Sequence, residues 1–262
     1  MASTPADPLD EMLSRFDAVV LSDVERFAAL GTRLDRKYVI AHDAAVQLLA
    51  EWGSTSGALE IDSRRTFRYL SVYFDTPDHR SYVTSARSRR RQFKVRTRCY
   101  EDSDLSVLEV KTKLRRNETR KIRVPHPSGL DVLTTEGCAF VDDTLGETGL
   151  GATLRPAATV RYRRSTLVDL DVGWRSTIDR EVRIIETDGE QVHLGDFVVV
   201  ETKSVRAATP VDRWLWTHGH RPVGISKFGL GTAALNPDLP NNKWRRLVAR
   251  HAEFGGQQRG PG

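Results

Sequence analysis

Residues Phe93 to Lys113, FKVRTRCYEDSDLSVLEVKTK, read as two strands joined by an acidic, Ser-containing turn. Lys94, Arg96 and Arg98 alternate with Val95, Thr97 and Cys99. Glu109, Lys111 and Lys113 alternate with Leu108, Val110 and Thr112. A period of two puts each charged trio on one face of its strand. A face turned to water would carry the same alternation. The pattern returns, however, as Arg161 and Arg163, then as Glu201 and Lys203 in VVVETKSV. Val-rich strands studded with same-sign charge point to a closed sheet with a polar interior. Cations gathered in a cavity repel one another unless an anion sits among them. The ligand implied is a polyanion, most simply a chain of phosphates.

Six segments occur in a telling order: Arg36-Lys37-Tyr38, YLSVYFDTPD (Tyr69 to Asp78), KVRTR, LEVKTK, VETKS and Ser226-Lys227-Phe228. In this they resemble the VTC domain, the polyphosphate polymerase domain of the CYTH-like, or triphosphate tunnel, superfamily. The resemblance runs from about Arg33 to Gly229. It implies an α+β fold, a closed antiparallel β-barrel with peripheral helices. It also implies domain limits of 1–30 for an N-terminal helical segment, 31–232 for the tunnel domain and 233–262 for a C-terminal helix and disordered tail. The wider superfamily carries ExExK on its first strand, where this chain has R-x-D-x-K at Arg33, Asp35 and Lys37. Half of that motif's metal-binding acids are missing, which argues against a hydrolytic member and agrees with the VTC branch.

The totals fit an anion-binding protein. The chain has 262 residues, 29% of them charged, and a net charge of +5. Seven of the twelve residues from Arg87 to Arg98 are Lys or Arg, a clustering that points to an anionic partner. Arg outnumbers Lys 32 to 8, yet six of the eight lysines lie in the motifs just named. Lys is thus used where a compact ammonium is wanted. Two cysteines, Cys99 and Cys138, offer no disulfide framework and no zinc spacing. No apolar run reaches the length of a membrane span and the N-terminus shows no signal pattern, so a cytoplasmic protein is expected.

Along the chain, residues 1–8 read as a disordered start. Leu9 to Leu30 carries two short helices, the second opened by a Ser22/Glu25 capping box and ended by Gly31. Strands are expected over Arg33 to Ile40, Thr66 to Asp75, Glu118 to Val124, Ala157 to Asp169, Trp174 to Ile184 and Phe197 to Val205. Arg175, Thr177, Asp179, Glu181 and Arg183 then share one face, and Lys121 and Arg123 point inward. Asp43 caps a helix over Ala44 to Trp52. Tyr82 to Arg91 is a basic loop, either solvated or a dock for a polyphosphate tail. Thr135 to Leu145 is a helix with Asp142 and Asp143 exposed, and Leu150 to Pro156 a loop. Thr209-Pro210 opens a helix ending near Gly219, and a last helix spans Asn241 to Phe254.

Phosphoryl transfer needs cations on the phosphates, a bridging metal and in-line alignment. The resemblance and the alternation together nominate Lys37, Arg96, Arg98, Lys111, Arg161, Arg175, Lys203 and Lys227 as catalytic. Lys94, Lys113, Arg123 and Arg163 are nominated as phosphate-binding. Glu201 and Glu109 are the carboxylates nominated for a divalent metal, Mn²⁺ or Mg²⁺, though each could equally pair with its neighbouring Lys. The implied reaction moves the γ-phosphate of ATP to the end of a growing polyphosphate and releases ADP. No Walker A loop or kinase-type Gly loop is present. Two rivals stand beside this reading: a triphosphatase that uses water, and a non-catalytic polyphosphate-binding module. Nucleic acid is disfavoured because few aromatics interleave with the cations.

Overall fold

A computed structural model describes residues 7–28, 34–52, 56–113, 119–205 and 207–255. The chain forms two compact units. The first comprises residues 1–67, 163–181 and 196–224, and the second residues 68–162, 182–195 and 225–262.

The first unit opens with α1 (Pro8–Ser14), β1 (Asp17–Val19), α2 (Leu21–Ala28), β2 (Leu34–Ala41), α3 (His42–Glu51) and β3 (Gly57–Leu59). Its second unit neighbours in sequence are β4 (Phe67–Asp75), α4 (Arg80–Ala86), β5 (Gln92–Tyr100), β6 (Leu105–Lys113), β7 (Thr119–Pro125), α5 (Thr135–Leu145) and α6 (Leu150–Thr153). Strands β8 (Arg155–Asp169) and β9 (Trp174–Glu186) contribute residues to both units. Then come β10 (Gln191–His193), β11 (Phe197–Ser204), α7 (Pro210–Thr217), α8 (Lys227–Leu235), α9 (Arg245–His251) and β12 (Glu253–Gly255).

In the first unit β11 lies between β2 and β9, antiparallel to both, with Lys37 opposite Glu201 and Glu201 opposite Thr177. Alternation turns Tyr38, Ile40, Val198, Val200, Trp174 and Ile178 to one face. There they share a core with Leu9 and Leu13 of α1, Leu48 and Leu49 of α3, and Val211 and Leu215 of α7. Burying that face commits the opposite one to Asp35, Lys37, Glu201, Lys203, Arg175 and Asp179, because a one-residue slip would invert every side chain. Thr209 caps α7 in a full capping box with Asp212, as the Thr-Pro signal anticipates. Asp212 is fully buried and also accepts hydrogen bonds from Tyr38 Oη at 2.6 Å and Thr202 Oγ1 at 2.7 Å. It ties α7 to β2 and β11, two of the three strands that carry the charged face.

In the second unit β5 pairs with β4 and β6, and β6 with β7, all antiparallel. Val72, Phe74, Phe93, Val95, Leu108 and Val110 pack against Val141 of α5 and Leu150 of α6. The other face again carries the charges: Lys94, Arg96 and Arg98, Glu109 and Lys111, Lys121 and Arg123. Lys121 and Arg123 stand directly opposite Lys111 and Glu109.

Several expectations are corrected. The strand ladder ends at β7 and at β12, and no pairing among the described residues closes it into a barrel. Edge strand β7 is short, charged and stopped by Pro125, which are features that discourage further pairing. Ser22 lies inside α2 and opens no capping box, and β1 intervenes before it. Asp43 sits in the first turn of α3, whose N-cap is Ala41. Leu150 to Thr153 is helical because Asp142 reaches across to accept from the amides of Gly149 and Gly151, both at 2.6 Å. Tyr82 to Ala86 belongs to α4, whose Arg80 amide donates to Thr76 Oγ1 and whose Ser81 and Tyr82 amides donate to the buried Asp75 carboxylate. The last helix is shorter than expected and gives way to β12. Asp7 is ordered as the cap of α1. Residues 1–6, Gly31, Arg33, Glu118 and the tail beyond 255 lie outside the described residues. No helix of the described residues is long and apolar enough to cross a membrane.

Candidate functional site

Each unit holds one glutamate clamped between cations on its charged face, Glu109 buried in the second and Glu201 partly buried in the first. In the second unit Glu109 is 1% exposed. Arg96, its cross-strand partner, donates through Nε to Glu109 Oε2 at 2.6 Å and through Nη1 to Tyr73 Oη at 2.7 Å. Lys121 forms an ion pair with the other carboxylate oxygen. Arg98 donates to Ser71 Oγ at 3.2 Å and to Tyr162 Oη at 2.9 Å. Lys227 heads α8, which Ser226 caps, and its ammonium lies 4.4 Å from the Tyr162 ring centroid. Tyr73 is held from behind by stacking on Phe228, centroids 4.9 Å apart.

The electrostatics follow from this crowding. Burial alone would raise the Glu109 carboxyl, but Arg96, Arg98 and Lys121 outweigh it and hold the group well below the usual carboxylate range. Burial pushes the Lys121 ammonium down, and Arg96 and Arg98 add to that push while Glu109 opposes it, leaving a pKa of about 7. Tyr73 would be raised by burial, yet Arg96, Arg98 and Lys227 bring it below its ordinary value. One step along the ladder Lys94, Lys111 and Lys121 lie side by side on three strands. Like charges directly opposite one another are destabilising, and Lys121 in this row is paired with Glu109.

In the first unit Glu201 forms an ion pair with Lys37 and lies 3.0 Å from Lys203. Lys203 also approaches Asp35 at 3.8 Å and stands opposite Arg175 on β9. Burial opposes ionisation of Glu201, but Lys37, Lys203 and Arg164 keep its pKa well below normal. Burial also lowers the Lys203 ammonium, Glu201 and Asp35 oppose it, and the charges of Lys37 and Arg175 add to the lowering. Arg164 grips Asp179 through two hydrogen bonds of 2.6 and 2.8 Å.

Lys37, Arg175, Lys203 and Glu201 thus lie together, as do Arg96, Arg98, Lys227 and Glu109. Lys94, Lys111, Lys113 and Arg123 share the face of the Glu109 group. Arg161 and Arg163 do not join either group. Tyr162 takes the charged face, so its neighbours point the other way: Arg161 is exposed and Arg163 meets the exposed Glu181 at 3.2 Å. The residue β8 supplies to the charged face of the first unit is Arg164. A parity signal for it was present, since Ala158, Val160 and Tyr162 mark the buried set. Nor do Arg175 and Glu181 share one face along all of β9. Glu181 adopts φ +53°, and Arg180 turns away to Asp7 and Asp10 of α1 at 3.1 and 2.6 Å.

No group of three or more His, Cys, Asp or Glu side chains suited to a metal lies among the described residues. Glu201 and Glu109 each supply one carboxylate already engaged by two cations. Such a donor set fits a divalent cation that arrives on phosphate oxygens and adds a single carboxylate ligand.

The VTC domain model matches residues 32–236, most of the chain. The chain belongs to the VTC domain family. No curated protein matches it. This VTC domain is also similar to solved structures. One is a protein of Pyrococcus horikoshii OT3, with 14% identity, a TM-score of 0.44 and coverage of 76% of this chain and 97% of that one. A putative adenylate cyclase of Bacillus halodurans gives 12%, 0.46, 74% and 93%. A putative adenylyl cyclase from Hippeastrum, described as having a dominant triphosphatase activity, gives 15%, 0.45, 81% and 100%.

Proposed function

We propose that this VTC domain is a polyphosphate polymerase that transfers the γ-phosphate of ATP to the end of a polyphosphate chain and releases ADP. The observation that carries the reading is the repeated arrangement of one glutamate, held below the usual carboxylate range, among an excess of cations. It occurs once on LEVKTK and once on VETKS. Such a face suits a ligand that brings several negative charges in a row.

The terminal phosphate oxygen of the growing chain attacks the γ-phosphorus, and the bond from that phosphorus to the β-bridging oxygen breaks. Its electron pair leaves on ADP. No protein nucleophile takes part. Taken unit by unit, the cations available to neutralise charge on non-bridging oxygens are Lys37, Arg175 and Lys203 in the first, with Arg164 in the place expected for Arg161, and Arg96, Arg98 and Lys227 in the second. Lys94, Lys111, Lys113 and Arg123 extend the hold on a chain of phosphates. Glu201 or Glu109 would be the protein ligand for Mn²⁺ or Mg²⁺, which would supply further charge neutralisation. Glu201 also holds the ammonium groups of Lys37 and Lys203 at the face through its two ion pairs.

Hydrolysis by water is the competing reading. The first strand brings one acid, Asp35, and that acid is engaged by Lys203, which favours transfer. Purified protein incubated with ATP and Mn²⁺ tests the choice when polymer, ADP and free phosphate are all measured. A polymer ladder with ADP is expected, and Lys203→Ala and Glu201→Gln should each reduce it at least about a hundredfold, as lost charge stabilisation of a transition state does. Free phosphate without polymer would establish the hydrolase instead.

A further inference from the structure

Four arginines outside both glutamate groups have no assigned role. Arg87, Arg89, Arg90 and Arg91 follow α4 in the second unit, all exposed, and none has a side-chain hydrogen bond or ion pair to another described residue. Like-charged side chains held this close without acids repel. The loop is nevertheless well tied: Arg87 N donates to Val83 O at 3.0 Å, Arg89 N to Thr84 O at 2.9 Å, and Gln92 Nε2 to Arg89 O at 2.6 Å. Ser88 accepts a left-handed φ of +51° to make the turn.

The patch is wider than the loop. Gln92 stands opposite Lys113 on β6. Lys243 donates to Ser85 O at 2.8 Å, at the base of the same loop, and its ammonium lies 5.0 Å from the Trp244 ring centroid. Lys113 also belongs to the face of Lys111 and Glu109, two residues up its own strand. A basic track therefore runs from the Glu109 group along β6 to the arginine loop.

We infer that the Arg87–Arg91 loop, with Lys113 and Lys243, is a second phosphate-chain site that holds polyphosphate beyond the segment at the Glu109 group. This rests on the polyphosphate reading above. Charge density favours that occupant, since a phosphate chain brings one charge per unit and Arg grips phosphate bidentately. Nucleic acid is served by exposed aromatics for stacking, and here Phe93 and Trp244 are buried. A membrane surface calls for apolar side chains that insert beside the cations, and none of the exposed large apolar residues lies in the loop.

The test is direct binding, without turnover, of a long polyphosphate and of tripolyphosphate to the full chain and to a variant with Arg87→Gln, Arg89→Gln, Arg90→Gln and Arg91→Gln. The long chain should bind about tenfold or more weakly to the variant, a loss of about 1.4 kcal/mol or more. Tripolyphosphate should bind equally to both. A variant with the same four positions changed to Lys should recover most of the lost affinity, which separates charge from folding. Unchanged long-chain binding overturns the inference, as does tighter binding of a single-stranded oligonucleotide or of anionic vesicles that disappears with the four arginines. The outcome is independent of turnover: a protein that makes no polymer from ATP, yet loses long-chain binding in the variant, keeps this site and loses only the polymerase reading.

Discussion

Lys121 shows what the crowding does to a single residue. Its side chain is 40% exposed, and its ammonium is paired with the buried Glu109 beside Arg96 and Arg98. With a pKa of about 7, it is charged below that pH and neutral above it, whereas the unfolded chain keeps it charged to about pH 10. Two signs follow. The native state binds fewer protons than the unfolded one between those values, so the penalty Lys121 imposes on stability is relieved as pH rises through 7. Affinity for a phosphate anion moves the other way. Tripolyphosphate should bind more weakly at pH 8.5 than at 6.5, by roughly fivefold for about 1 kcal/mol, and Lys121→Arg should flatten that slope. Comparing the two proteins cancels the titration of the ligand, and equal slopes would remove Lys121 from the site. Glu109→Gln has a larger effect, because Arg96 and Lys121 then lose their counter-ion. A loss of about 3 kcal/mol is expected from leaving buried charge unpaired, partly restored by tripolyphosphate in thermal melts. No loss of stability would mean that the clamp contributes nothing. The alternation in FKVRTR and LEVKTK made these residues legible before the fold was known. Arg164 was hidden by its neighbours in RYRR, where three arginines flank one tyrosine and only the apolar parity of β8 separates them.

At the scale of elements, helix α8 decides where Lys227 stands, and its packing rests on two small residues. A Cβ on Gly231 would meet Ile184 Cγ2 at 2.3 Å, and one on Gly229 would meet the Trp244 ring at 2.5 Å. Gly231→Ala should therefore shift α8 or strain β9, costing about 1–3 kcal/mol by overpacking and weakening tripolyphosphate binding through Lys227. Adding Ile184→Ala makes room, so the double variant should bind better than Gly231→Ala alone, a coupling that a thermodynamic cycle measures. Additive effects would show that the helix does not need that contact. Elements whose ends are set by local chemistry were legible: α5 begins at the Thr134 cap and stops at Gly146, with φ +65°. Helix α6 was not, because the side chain that satisfies its start, Asp142, lies in the preceding helix. The turn at Glu181 was hidden for a similar reason. Arg180 leaves the charged face to meet Asp7 and Asp10, far away in sequence, and no local pattern encodes that attraction.

For the whole molecule, alternation does not carry closure of the sheet, since pairing of end strands is a non-local property, and no pairing among the described residues shows it. What alternation does carry is that each unit buries one sheet face under helices and leaves a cationic face opposite. A ligand that binds only the folded faces stabilises the protein by mass action, about 2.7 kcal/mol at a hundred times its Kd. Tripolyphosphate should accordingly raise the melting temperature by roughly 5–10 °C, while potassium chloride at matched ionic strength should not. The size of the shift is less informative than its distribution. Two units need not melt as one, and calorimetry resolves them if they do not. If both transitions move with tripolyphosphate, Glu109 and Glu201 each sit in a working phosphate site. If one moves alone, Lys227→Gln in the second unit and Lys203→Gln in the first identify which by abolishing the shift. The glutamate in the unmoved unit is then an internal counter-ion for its lysines and arginines, with no part in holding phosphate or metal.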